Sequence, residues 1–429
     1  MTKHIFHIML VIFVGLSTIS SCSDDELEEE VHTKRTVIAY ITGDNNISSN
    51  LLGDIKEMIS GSTNLPSDCR LVIFSDCKNA NPYIAEIKKG EEKVVYQYES
   101  EMLSTSVTEM KNAMQWIVDT YPSDEYALIM SGHGTGSLIM EDTVAYSSYI
   151  RLYAYGWDEK DKDKTYNEYN GKWINIPSLA TVFSNLTTRD GNRLHFEYIF
   201  FDCCCMQTAE TAYELRKYTD YIIAAASEVP GKGAPYKSIV PVLGDDKSIV
   251  GASIINKYIS GTSWDGTGGI AISVVKTDEM ESLLNITRDA LHELYTGGSL
   301  ELNRDNCIYY YRGDESNDTP VLYDFQNIML NNLSTERYQQ WLEQYNKTVV
   351  EKYVPIADRP WHSVCGSYNQ GVNFYSFTVS ENNCGCMGFF FPYAPYDNTE
   401  IRVPPRKSLN KTMFDFEWTR ALGWHDMGW

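Results

Sequence analysis

The chain has 429 residues, of which 43% are hydrophobic and 13% aromatic, so it can bury a sizeable core and is too long for one ordinary core. Its net charge of −22 provides no phosphate-neutralising surface, which excludes nucleic acid as a partner. Acidity of this size is compatible with basic peptides, although it also serves solubility.

Lys3 and the apolar stretch Ile5 to Leu16 read as a targeting segment too short to span a bilayer permanently. Ile19-Ser20-Ser21-Cys22 follows and resembles a bacterial lipobox. Residues 1–21 are then a lipoprotein signal peptide, and Cys22 is the lipidated first residue of an exported protein anchored to the outer membrane, facing the periplasm or the cell surface. The alternative is an ordinary signal peptide with an incidental cysteine. The acidic run Ser23 to Glu30, within a linker at residues 22–35, resembles the surface-export tag of Bacteroidetes lipoproteins, or else is a solvated linker.

Six short apolar runs come next: Val37 to Ile41, Leu71 to Phe74, Tyr126 to Met130, Tyr198 to Phe201, Tyr221 to Ala226 and Gly269 to Val275. Near-continuous apolar runs of this length mark strands buried on both faces, as in a parallel sheet. Helical patterns lie between them, at Asn50 to Ser60, Thr108 to Tyr121, Met206 to Tyr218 and Glu279 to Tyr295. Strands alternating with helices predict an α/β layered domain over residues 36–298. Within it, residues 143–179 are polar and carry an alternating Lys-Asp run from Lys160 to Lys164, which predicts a long surface loop. Residues 299–429 form an aromatic-rich α+β region packed on that domain, with a helix at Ser334 to Glu351 and strands at Gly371 to Thr378 and Met387 to Phe391. No internal repeat is present, and no transmembrane helix is predicted beyond the signal.

Two of the buried runs end in residues that carry chemistry. One runs into Ser131-Gly132-His133-Gly134-Thr135-Gly136; the other runs into Asp202-Cys203-Cys204-Cys205, just before the Met206 helix. Functional groups gather at the carboxyl ends of parallel strands, so a His and a Cys leaving two such ends can face one cleft. A thiolate is the nucleophile that the pair would use, and histidine titrates where it can take and return the proton. The partial positive charge at the start of the following helix is expected to lower the thiol pKa. Glycines beside His133 allow a substrate backbone to come close, and the N–H groups of Gly134 and Cys204 could form an oxyanion hole. Each residue alone has a structural reading, the His as a core group and the Cys as filler; the two together favour catalysis.

Here the sequence resembles caspase-like cysteine peptidases, with His-Gly after one strand and Asp-x-Cys after a later one. It is more similar to the clostripain-like family, on Thr36 to Asn46, Ser131 to Gly136, Asp202 to Met206 with Glu210, and Ser227-Glu228 to Gly233 with Tyr236. The resemblance implies a caspase-like αβα sandwich with a mostly parallel central sheet, a catalytic pair of His133 and Cys204, and cleavage after Arg or Lys. It selects Cys204 from the three cysteines, with Cys203 where the family has alanine and Cys205 where it has leucine. It also implies that Asp202 lines the first specificity pocket; the bland alternative is that Asp202 caps the helix that follows. Family members are cut between the His and Cys motifs, which makes Arg151, Lys160, Lys162, Lys164 and Lys172 candidate self-processing sites.

Protein or peptide substrates with a basic residue before the scissile bond are the expected partners. No cofactor is required and no metal site is expected. Calcium is not indicated: Asp44-Asn45-Asn46 carries suitable oxygens, but a polar turn after the first strand is the favoured reading. Cys384-Gly385-Cys386 with His362 and Cys365 makes a weak metal pattern. His195 reads as structural, and Trp157-Asp158 as bordering the cleft. Two other functions stay open: a catalytically inactive surface binding lipoprotein on the same fold, and a caspase-like enzyme of the gingipain or legumain type.

Overall fold

The computed structural model describes residues 32–138, 154–158, 172–261, 269–312, 320–355, 361, 377–397 and 408–429. Cys22, Arg151, Lys160, Lys162, Lys164, His362 and Cys365 lie outside the described residues.

The strands in chain order are β1 (Arg35–Gly43), β2 (Cys69–Cys77), β3 (Tyr83–Lys88), β4 (Glu91–Gln97), β5 (Glu125–Ser131), β6 (Tyr155–Asp158), β7 (Lys172–Ile174), β8 (Phe196–Asp202), β9 (Thr219–Ala225), β10 (Ile272–Lys276), β11 (Tyr309–Arg312), β12 (Pro320–Asp324), β13 (Val349–Tyr353) and β14 (Gly388–Phe389). Among the described residues, nine of them form one sheet in the order β13-β10-β9-β8-β5-β1-β2-β3-β4. Its centre, from β9 through β8, β5 and β1 to β2, is parallel, and both flanks are antiparallel. This is the mostly parallel α/β sandwich that the apolar runs predict.

Each central strand feeds two cores by alternation. In β1, Ile38 and Tyr40 enter one core with Met110, Met114 and Ile117 of α2 (Val107–Thr120), while Val37, Ala39 and Ile41 enter the other with Leu51, Ile55 and Met58 of α1 (Ser48–Gly61). The α1 face also holds α5 (Tyr236–Ile239) and α6 (Val250–Gly261). The α2 face holds α3 (Ile176–Ser184), α4 (Ala209–Leu215), α7 (Met280–Leu294), α8 (Phe325–Asn332) and α9 (Thr335–Thr348). Every one of these core side chains in β1 is fully buried, and Val37, Ile38 and Ile41 each contribute on the order of 1.5–3 kcal/mol.

Three expectations change. The helix expected from Met206 starts only at Ala209. The helix expected from Ser334 to Glu351 stops at Thr348, where the β-branched pair Val349-Val350 turns into β13 and pairs antiparallel with β10. The expected surface loop at 143–179 contains the β6–β7 hairpin and the start of α3, with Tyr155 and Trp157 buried; Lys172, one of the processing candidates, heads β7. Apolar residues in that polar stretch, too few to make a run, supply the anchor.

The C-terminal region is bonded to α4 as well as to the sheet edge. Gly388 N–H donates to the Gln207 carbonyl at 2.8 Å. Phe390 N–H donates to Oε1 of Glu210 at 2.9 Å, and the Ser137 hydroxyl donates to its Oε2 at 3.2 Å. Glu210 is fully buried, and burial pushes its carboxyl up to about 7 against the backbone bonds that pull it down. An acid held protonated by the fold loses stability as pH rises from the unfolded value near 4.5 to about 7, because the unfolded chain ionises first; the loss is about 3 kcal/mol. Glu210→Gln mimics the protonated form. Urea midpoints of the two forms should therefore nearly coincide at pH 5 and separate in favour of Gln by pH 8. A constant difference across that range would show that Glu210 does not titrate in this way.

Candidate active site

Strands β5 and β8 are parallel neighbours, and the last paired rung of their register is Ser131 with Asp202. His133 and Cys204 each lie two residues beyond that rung, on strands about 4.8 Å apart. The two chain segments stay packed after the strands end. A Cβ on Gly134 would stand 2.8 Å from the Cys204 carbonyl oxygen and 2.9 Å from Cβ of Cys203, so only glycine fits. Cys205 has φ +56, a left-handed conformation rare outside glycine, and its N–H donates to the Ser227 carbonyl at 3.0 Å. Gln207 N–H then donates to the Ala225 carbonyl at 3.0 Å. Residues 205–207 are thus tied to the end of β9 before Thr208 caps α4, its Oγ1 accepting from Thr211 N–H at 3.1 Å.

The half-buried His133 ring is held from the β1–α1 turn. Its Nε2 lies 2.7 Å from Oδ1 of Asn46, an amide oxygen able to accept a ring N–H and so to orient the imidazole. Asn45 braces the same turn, donating to the carbonyls of Thr42 at 3.0 Å and Trp157 at 2.7 Å. The Trp157 ring lies 5.7 Å from the imidazole, and Gly156 N–H donates to the His133 carbonyl at 2.8 Å. Asp44-Asn45-Asn46 is therefore a polar turn that organises the His loop. Asn46 belongs to the family-like opening motif, and only the fold brings that motif to His133.

Cys204 is half-buried, and its thiol bonds to the 227–233 loop: Val229 N–H donates to Sγ at 3.2 Å, and Sγ donates to the Val229 carbonyl at 3.7 Å. Burial, then the Glu228 charge, push the thiol up to about 12. The expected lowering by a helix N-terminus does not occur, because α4 begins five residues downstream. Cys203 and Cys205 are buried fillers; Cys203 Sγ donates to the Met130 carbonyl at 3.2 Å.

Asp202 points to the opposite sheet face from Cys203, between α5 and α6. It is 5% exposed and accepts from Ala234 N–H (2.9 Å), the Tyr236 hydroxyl (3.0 Å) and the Tyr258 hydroxyl (3.1 Å). Burial raises its pKa against these three donors. None of the donors belongs to α4, so the helix-cap reading does not hold. His195 bonds Asp220 at 2.8 Å on the far side of β8's start, as a structural residue would. Cys384 and Cys386 are buried with their sulfurs 3.9 Å apart. Among the described residues, no group of three or more His, Cys, Asp or Glu is placed to hold a metal ion.

A six-residue-motif His loop and a Cys loop on adjacent parallel strand ends of an αβα sandwich define a caspase-like cysteine-peptidase scaffold. A model of the clostripain family of C11 peptidases matches residues 39–385, and the chain belongs to the clostripain family of cysteine peptidases. Clostripain of Hathewaya histolytica is 27% identical over 236 residues, 48% of this chain and 41% of that protein, so the chain spans less than half of that relative's length. A secreted C11 cysteine protease from Bacteroides thetaiotaomicron, solved with an irreversible peptide inhibitor, matches with a TM-score of 0.69 at 25% identity, covering 92% of this chain and 99% of that one. An inactive zymogen C11 protease from Parabacteroides distasonis shares the fold, with a TM-score of 0.67 at 22% identity over 90% and 97% of the chains.

A neutral resting thiol has a chemical signature. The rate at which iodoacetamide modifies Cys204 should keep rising from pH 7 to pH 10. A plateau reached below pH 8 would instead reveal a preformed thiolate–imidazolium pair.

Proposed function

We propose that this chain is an exported, lipid-anchored cysteine endopeptidase that cleaves after Arg or Lys, with His133 as general base and Cys204 as nucleophile. The observation that supports the reading is the shared last rung of β5 and β8, beyond which His133 and Cys204 each lie two residues on. His133 takes the thiol proton as the Cys204 sulfur bonds to the scissile carbonyl carbon. The oxygen becomes an oxyanion next to the N–H groups of Gly134 and Cys204. His133 then gives its proton to the leaving amine as the C–N bond breaks, leaving a thioester. Water attacks the thioester with His133 again as base, releasing the carboxylic acid and restoring the thiol. A thiol held neutral fits this order, in which deprotonation accompanies attack. The close approach at Gly134 supports an oxyanion hole there, and the buried Asp202 carboxylate two residues before Cys204 supports a pocket for a cation. The likeness to a secreted, inhibitor-bound protease supports export and peptide substrates. The lipid anchor rests on Cys22 and its lipobox-like context.

With an arginyl-aminomethylcoumarin substrate, Cys204→Ala should abolish hydrolysis, while Cys203→Ala and Cys205→Ala retain most of it. Asp202→Asn should weaken cleavage after Arg and Lys by roughly tenfold or more, about 1.4 kcal/mol. Activity surviving in Cys204→Ala would reject the nucleophile, and an active-site probe that labels nothing would favour an inactive binding protein.

Self-processing between His133 and Cys204 belongs to the same reading, with Arg151 as first choice because it stands outside the Lys-Asp run. Fragment N-termini from wild type and from Cys204→Ala expressed in parallel decide it. A wild type that is fully active as one intact chain would overturn it, as would equal cutting of Cys204→Ala in the absence of other proteases.

A further inference from the structure

A second carboxylate faces the Asp202 pocket. Asp54, on α1, is 3% exposed, and its Oδ2 is buried with no hydrogen-bond partner. An unpaired buried carboxylate oxygen is costly, and proteins keep one where a ligand or an ion completes it. Asp54 and Asp202 meet at Gly233, which has φ +66. A Cβ there would stand 2.8 and 3.2 Å from the two Asp54 oxygens and 3.0 Å from Oδ2 of Asp202. A side chain at 233 would crowd both acids, so glycine lets the two carboxyls share this approach to the backbone. Around it stand Tyr236 and Tyr258, whose hydroxyls are both committed to Asp202. Asp202 therefore has its donors, whereas Asp54 is short of one. Burial, then the charges of Asp202 and Glu57, push the Asp54 carboxyl up to about 9, which marks a site short of positive charge.

We propose that Asp54 is a second specificity-determining residue of the basic pocket, so that a substrate Arg or Lys side chain lies between Asp54 and Asp202. This rests on the pocket reading given above for Asp202. A cation supplies the donors that Asp54 lacks and neutralises a pair of acids that otherwise repel. One carboxylate set by three protein donors and one left open gives the pocket a fixed wall and an accepting wall. A guanidinium, with five donors in a rigid fork, can address both, while an ammonium addresses them as a point charge.

The test compares one peptide carrying Arg, Lys or the neutral arginine isostere citrulline before the scissile bond, measured with wild type, Asp54→Asn and Asp202→Asn. In Asp54→Asn the arginine-to-citrulline ratio of kcat/KM should fall by about tenfold or more, and the loss for Arg should exceed that for Lys. Binding of the arginyl and citrullinyl peptides to Cys204→Ala and to Cys204→Ala/Asp54→Asn, by calorimetry, gives the same ratio independently of turnover. A ratio unchanged in Asp54→Asn but reduced in Asp202→Asn would overturn the role of Asp54 alone. A ratio unchanged in both would overturn the basic pocket and this inference with it.

Discussion

The pairing of β5 with β8 is the constraint on which the rest depends. Because side chains alternate along a strand, a slip of one residue in either strand would turn its whole sequence inside out. Asp202 would leave the α5–α6 face for the α2 side, and Cys203 would leave its packing beside Met130. The register is secured by burial on both faces, with Leu128, Ile129 and Met130 lying against Ile199, Phe200 and Phe201. One rung beyond, the same alternation continues into the site. Asp202 faces α5 and α6, and two residues later Cys204 lies beside the His133 loop. Both residues are bonded to the loop that follows β9, Cys204 through Val229 and Asp202 through Ala234.

The electrostatics around this point run against ionisation. Asp202, Asp54 and Cys204 are all held towards their neutral forms, chiefly by desolvation. Such an environment is costly for the folded protein, because buried carboxyls without a cation partner resist ionisation. The Val229 amide, donating to Cys204 Sγ, and the backbone N–H of Cys204 itself ease the thiol towards its charged form. The 227–233 loop therefore touches both ends of the problem: Val229 meets the sulfur, and Gly233 meets the acids.

The central fold was legible because its strands are apolar almost without interruption: the six runs correspond to β1, β2, β5, β8, β9 and β10. The flanks were not. In β3 the sequence Tyr83-Ile84-Ala85-Glu86-Ile87-Lys88 alternates too briefly, and β4 is charged and largely exposed, so neither shows a run. The α4 boundary was missed because Met206 and Gln207 favour helix locally, whereas the backbone of this stretch is bonded to the end of β9, a tertiary demand that local preference does not reveal. His133, Cys204 and Asp202 stood out through their motifs. Asn46 and Asp54 did not, since one sits in an ordinary polar turn and the other on an amphipathic helix, and only the packing of α1 against the sheet end brings them near the site.

At its outer margin the sheet ends in β4, Glu91-Glu92-Lys93-Val94-Val95-Tyr96-Gln97, pairing only with β3 within the sheet. A bare strand edge is a template onto which another chain can add its own strand. Val94 and Tyr96 are 50% and 42% exposed and offer such a template an apolar grip, while Glu91, Glu92 and Lys93 place charge on the first half of the strand. Two copies approaching edge to edge would each have to desolvate those charges, and each also carries the chain's overall negative charge. Solvated charge at the start of the strand and the overall repulsion between copies both oppose such strand addition.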